Sequence, residues 1–125
     1  MKQEDTVGEI VWHDLTVGKA ESTAEFYQAV VGWEKQAVSM GDYHDFNMVC
    51  PASKEPTAGV CYAKGENADI PPQWMMYVRV HDVAQSVAKV GELGGRVLKG
   101  PTTFSGDTYY LIQDPNGAVL TIFSK

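Results

Sequence analysis

The chain is poor in the residues from which metal centres and disulfide scaffolds are made. Its 125 residues include only two cysteines, Cys50 and Cys61, and three histidines. The cysteine spacing fits neither a C-x-x-C pair nor a zinc ribbon, so both thiols are expected as small buried groups in strands. Basic residues are scarce as well: ten Lys and Arg against sixteen Asp and Glu leave a net charge of -6. With no basic stripe to neutralise phosphates, nucleic acid is excluded as a partner. The same deficit argues against an anionic membrane surface. No apolar run approaches the roughly 18 residues of a bilayer span. The opening MKQEDTVGE lacks the apolar stretch of a signal peptide, so a cytoplasmic setting is expected.

What is present is enough for a core. Hydrophobic residues make up 44% of the chain, which suits one domain built from two small modules. Ser22-Thr23-Ala24-Glu25 has the S-x-x-E spacing of a capping box. Thr23, Phe26, Tyr27, Val30 and Val31 then recur at helical spacing, and Gly32 is a left-handed C-cap candidate, so a helix is predicted over 22–31. Some sixty residues on, Asp82 to Gln85 repeats the N-cap pattern. Val83, Val87 and Val90 carry the apolar face, and Leu93 leads into a Gly94-Gly95 stop. Strands are predicted at 10–17, 33–38, 43–49 and 58–63 around the first helix, and at 74–80, 96–98, 108–113 and 118–123 around the second. The segment DPNG, Asp114 to Gly117, marks a turn between the last two.

The order is therefore βαβββ twice, with a repeat offset of 62 to 63 residues: Leu15 answers to Val78, Val17 to Val80 and Gly32 to Gly94. Module one is placed at about 8–63, a polar linker at 64–73 and module two at about 74–123. The class is α+β, with the two modules expected to pair into a saddle-like mixed β-sheet and the helices outside.

This order, together with FYQAVVGWE across the end of the first helix, GGRV after the second and DPNGAVLTIF at the end, resembles the vicinal-oxygen-chelate superfamily. That group holds glyoxalases, bleomycin-resistance proteins and extradiol dioxygenases. The resemblance implies a ligand pocket on the concave side and, in metal-using members, a divalent ion held by His and Glu from the first and last strand of each module. By analogy with the many relatives that dimerise, it also implies a homodimer. Fold does not select function in such a group.

Strand alternation assigns the faces. In VWHDLTV, Leu15 and Val17 should pack on the first helix, which sends Trp12, Asp14 and Thr16 inward and turns His13 away. The family's ligand position then falls on Trp12. In the second module Val78 and Val80 pack on the helix, so Met75, Tyr77 and Arg79 face inward, and the ligand position is Met75. In the last strand it is Thr121, beside Val119 and Phe123. The last strand of module one has no carboxylate. No metal site is therefore expected. A slip of one residue would make His13 a ligand and a divalent metal ion the cofactor, but would expel Leu15 and Val17 from the core. His44 should be exposed and His81 should belong to a cap. The recurring His-Asp pairs do not make a helical metal phosphohydrolase, because all three fall in or beside strands.

The nine inward residues, Trp12, Asp14, Thr16, Met75, Tyr77, Arg79, Val119, Thr121 and Phe123, suit a small organic ligand. Trp12 would stack on a planar group, and Arg79 would grip a carboxylate or phosphate, unless it pairs with Asp14. Three readings follow: a metal-free binding protein, an enzyme with acid-base chemistry at Asp14, Tyr77 or Arg79 (a lyase, isomerase or dioxygenase of this superfamily), and a partner-binding domain whose cavity is filled by its own side chains.

Overall fold

The computed structural model describes residues 6–125. Part of the opening segment weighed above as a leader lies outside them. Eight strands of mixed pairing and two helices follow the order β1 (Ile10–Val17), α1 (Ala20–Val31), β2 (Glu34–Ser39), β3 (His44–Val49), β4 (Pro56–Tyr62), β5 (Trp74–Arg79), α2 (Val83–Glu92), β6 (Arg96–Phe104), β7 (Asp107–Gln113) and β8 (Val119–Ser124). The chain is thus α+β, two turns of βαβββ. Neither helix is long and apolar enough to cross a membrane.

The chain forms two compact units, one of His13–Trp74, the other of the residues up to Trp12 together with Met75–Lys125. The boundary falls inside β1. In the first unit the strand order is β2-β3-β4-β1, with β1 parallel to β4 and the other pairs antiparallel. In the second it is β5-β8-β7-β6, with β5 parallel to β8 and the rest antiparallel. The registers repeat as well: Leu15 lies beside Val60 as Val78 lies beside Ile122.

In the first unit, Ala20, Ala24, Phe46, Met48, Ala58 and Val60 make the core, with Val17, Tyr27, Trp33, Tyr62 and Trp74 packed against it. The small side chains of Ala20 and Ala24 let the helix close on the sheet. Tyr27, Trp33 and Trp74 fill the remaining space, Trp74 edge-on to both Tyr27 and Trp33, and the Trp74 Nε1–H donates to the Tyr27 hydroxyl at 3.2 Å. The helix departs from expectation at both its start and its face. It begins at Ala20, two residues before Ser22, and its N-cap Lys19 makes no side-chain capping bond. Ser22 sits within the first turn and donates to the Lys19 carbonyl instead, so there is no capping box. Phe26 (57% exposed), Val30 (64%) and Val31 (51%) point outward. The pattern of large apolar residues misplaced the buried stripe, because the contact is made by alanines.

In the second unit, Asp82 caps α2, its Oδ1 accepting from the N–H groups of Ala84 and Gln85. The Val83 N–H donates to the buried Ser124 Oγ at 2.9 Å, which ties the helix start to β8. At the far end, a Cβ on Gly95 would lie 2.5 Å from the Gln113 carbonyl and 3.2 Å from a Val90 methyl, so only glycine permits this approach of helix end to sheet. Leu93, which leads into the Gly94-Gly95 stop, is the C-cap residue and is 73% exposed. Strand β6 runs six residues beyond the expected 96–98, with irregular register between Val97 and Lys99 and between Lys99 and Thr102. Pro101, which cannot donate to a ladder, hid that continuation. The DPNG turn forms as expected, with Asp114 Oδ1 accepting from Asn116 and Ala118.

Candidate functional site

Pairing between strands places side chains on faces more firmly than alternation along one strand. In the second unit Tyr77 lies beside Thr121 and Arg79 beside Phe123, while Phe123 lies opposite Tyr109 and Thr121 opposite Leu111. These residues share one face of the sheet. Ile122 and Ser124 fall on the other, where Ser124 meets α2. The floor is dry: Phe123 is 3% exposed, Thr121 6% and Met75 2%. Tyr77, Arg79, Tyr109 and Val119 are half-buried.

The aromatic rings interlock. Tyr109 stacks on Phe123 at 5.0 Å and 20°, and Tyr77 meets Tyr109 edge-on at 6.0 Å. The Arg79 guanidinium lies 4.9 Å from the centre of the Phe123 ring. Its backbone is held on both sides. Gly8 donates to the Arg79 carbonyl at 2.7 Å, the Arg79 N–H donates to the Glu9 carbonyl at 3.0 Å, and Val80 donates to the Phe123 carbonyl. Yet Arg79 Nε and Nη1 are buried with no hydrogen-bond partner, so pairing with Asp14 does not occupy these nitrogens. Burial, and after it the Asp107 carboxylate, pushes the Tyr109 phenol above its ordinary 10.0 against the opposing pull of Arg79. Tyr109 and Leu111 were missed in the sequence, which was read on β1, β5 and β8 alone. The signal was available: β7 is joined to β8 by the DPNG turn, which fixes their register.

The first unit uses the matching positions differently. Asp14 lies beside Gly59 and Thr16 beside Cys61, where the second unit has Tyr77 beside Thr121 and Arg79 beside Phe123. Thr16 is buried and Asp14 half-buried. Asp45 is also buried; its Oδ1 accepts from the Tyr62 N–H at 2.9 Å, and it accepts from the Cys61 thiol. Burial first, then the charges of Asp14 and Asp45, raise that thiol far above its ordinary 9.0. Both cysteines are free and half-buried; Cys61 lies in β4, but Cys50 sits just past the end of β3.

The positions where the resemblance calls for metal ligands are Trp12, Met75 and Thr121, and the register adds Gly59. An indole, a buried thioether, a hydroxyl and a hydrogen do not fit a hard divalent ion, which takes imidazole or carboxylate donors in this family. His13, the alternative ligand, is exposed, and so are His44 and His81. Among the described residues no group of three or more His, Cys, Asp or Glu side chains is placed to hold an ion.

Known proteins share this architecture. A glyoxalase/bleomycin resistance protein/dioxygenase superfamily member from Vibrio splendidus superposes with a TM-score of 0.60 at 12% identity, over 90% of this chain and 96% of that one. The methylmalonyl-CoA epimerase of Mycobacterium tuberculosis gives 0.55 at 14% identity, over 98% and 91%. At such identities the likeness speaks for the fold. In sequence, the chain is 25% identical over 116 residues to CFP32 of M. tuberculosis and M. bovis, which carries a provisional glyoxylase name. The match covers 92% of this chain and 43% of CFP32, so the chain spans less than half the length of that relative. The family model of the Glyoxalase/Bleomycin resistance protein/Dioxygenase superfamily matches residues 7–122, both βαβββ turns together, and the chain belongs to that superfamily.

Proposed function

We propose that this chain binds a small, planar, carboxylated organic molecule on the face of β5, β8 and β7, without a divalent ion. One observation carries the reading: a guanidinium held by its backbone on an aromatic floor, with two buried nitrogens that lack acceptors. Buried charges are ordinarily paired, and a carboxylate accepts from an arginine in two parallel bonds. Tyr77, Tyr109 and Phe123 supply apolar walls, and Trp12, Met75, Val119 and Thr121 of the same unit complete the residue set taken from the pleat. Support by analogy comes from a methylmalonyl-CoA epimerase of this fold in complex with methylmalonyl-CoA, an acid. Mass spectrometry of co-purified small molecules, followed by calorimetry, tests the reading. Carboxylated aromatic compounds should bind, and Arg79→Met should weaken them at least about tenfold, the loss of one charge-assisted contact. Unchanged affinity in that variant would overturn the proposal. The reading includes a homodimer and a cytoplasmic setting; light scattering checks the first.

A second reading keeps the same site and adds acid-base chemistry at Asp14, Tyr77 or Arg79, as in a lyase, isomerase or dioxygenase of the superfamily. The Tyr77 phenol, on the same face as Arg79 and edge-on to Tyr109, favours it. Exchange of deuterium into a bound carboxylic acid, lost in Tyr77→Phe, is its test; no exchange in the native protein counts against it.

A further inference from the structure

Among the described residues, three buried side-chain atoms lack a hydrogen-bond partner: Arg79 Nε, Arg79 Nη1 and Asp107 Oδ1. All three belong to one unit and one sheet. Asp107 and Tyr109 are two apart on β7 and so share a face, and Tyr109 lies opposite Phe123, whose other neighbour is Arg79. The face thus carries a cation at one side, a carboxylate at the other, and the stacked rings of Phe123 and Tyr109 between them. The Tyr109 phenol feels both charges, one raising and one lowering its pKa. Within direct reach an arginine and an aspartate would pair, since an unpaired buried charge is heavily penalised. These atoms remain unpaired across an apolar platform, one side wanting an acceptor and the other a donor.

We infer that the ligand of this site is bipolar: a flat body with a carboxylate for Arg79 at one end and a hydrogen-bond donor, best a cation such as an ammonium, for Asp107 Oδ1 at the other. This inference rests on the proposed function and narrows it, since a plain aromatic acid would leave Asp107 unanswered. A charged donor is preferred because a carboxylate binds it more strongly than a neutral one.

The test uses two probes of similar shape, 4-(aminomethyl)benzoate and 4-methylbenzoate, titrated calorimetrically into the whole chain at neutral pH. The first should bind at least about tenfold more tightly, the effect of one charge-assisted hydrogen bond. Asp107→Asn should erase that preference, whereas Arg79→Met should weaken both probes. Asp107→Ser serves as a second variant, and the melting temperature of each confirms folding. Equal affinity of the two probes in the native protein, or a preference that survives in both Asp107 variants, overturns the inference. If 4-methylbenzoate binds equally well and only Arg79→Met weakens it, the inference falls and the carboxylate reading stands. If neither probe binds, the inference falls; if no carboxylated compound binds either, the reading falls with it.

Discussion

At Arg79 a guanidinium is held against the Phe123 ring while two of its nitrogens face no acceptor. Losing the ring contact costs about 0.5–2 kcal/mol, but relieving a desolvated, unsatisfied donor returns about 1–3 kcal/mol. Arg79→Met is therefore expected to leave the melting temperature of the ligand-free protein unchanged or raise it by a few degrees, against the usual cost of changing a half-buried charged residue; calorimetry decides. Cys61 makes the opposite case, a group fully answered by its surroundings. Its protonated thiol donates to Asp45, and only thiolates attack alkylating reagents. Iodoacetamide at pH 8 should leave Cys61 unmodified in the folded protein and label it on unfolding, read by peptide mass spectrometry. The same proton links to stability. Its folded pKa is raised above the ordinary 9.0, so above that pH the unfolded chain loses a proton that the folded chain keeps. Stability is complete below about pH 9 and falls beyond it, by at most about 1.4 kcal/mol per pH unit for this one group. Tyr109, also raised, adds in the same direction at higher pH. Cys61→Ser should flatten the alkaline limb of a melting-temperature profile.

At the scale of elements the two helices differ at their starts. The α2 cap accepts twice through Asp82 Oδ1, and Asp82→Ala should cost about 1 kcal/mol, some 3–5 °C in a chain of this size. The α1 cap is Lys19, which makes no side-chain capping bond and sets a cation against the positive end of the helix dipole. Lys19→Ser should stabilise by about 0.5–1 kcal/mol, seen as a higher denaturant midpoint with an unchanged slope. The elements themselves were legible where hydrophobic period and turn chemistry agreed. Ile10–Val17 was read to the residue, and Asp82 was read as a cap because its partners are local in sequence. The start of α1 and its buried stripe were not legible, since Ser22 and Glu25 mimic a capping box while the helix is seated by Ala20 and Ala24. The full length of β6 was lost behind Gly100 and Pro101. In the candidate site, Tyr77, Arg79, Thr121 and Phe123 could be read from the pleat, but Tyr109 and Asp107 depend on pairing across the last hairpin. That Arg79 and Asp107 keep unanswered atoms depends on side-chain placement, which no alternation pattern encodes.

For the whole molecule, the repeat read from Leu15 and Val78 is a repeat of strand order and register, and it carries two chemistries. Asp14, Thr16, Asp45 and Cys61 make one face acidic, with Asp45 bonded to Tyr62 and Cys61; Tyr77, Arg79, Tyr109 and Phe123 make the other aromatic and cationic. Since no group of three or more His, Cys, Asp or Glu side chains among the described residues is placed to hold an ion, nickel, zinc, manganese and iron should leave the melting temperature unshifted. An ion bound at a hundred times its dissociation constant would add about 2.7 kcal/mol, and such a rise abolished by His13→Ala would place the ion on that imidazole. The Gly95 contact carries a consequence for ancestry. Counting 62 residues back from Gly95 gives Trp33, an indole packed among Tyr27 and Trp74 where the later half has bare backbone against Gln113. If the halves descend from one duplicated gene, they have since become mutually unexchangeable: a hybrid carrying the tryptophan in place of that glycine would pry its helix loose, and the reverse graft would leave a hole the size of an indole.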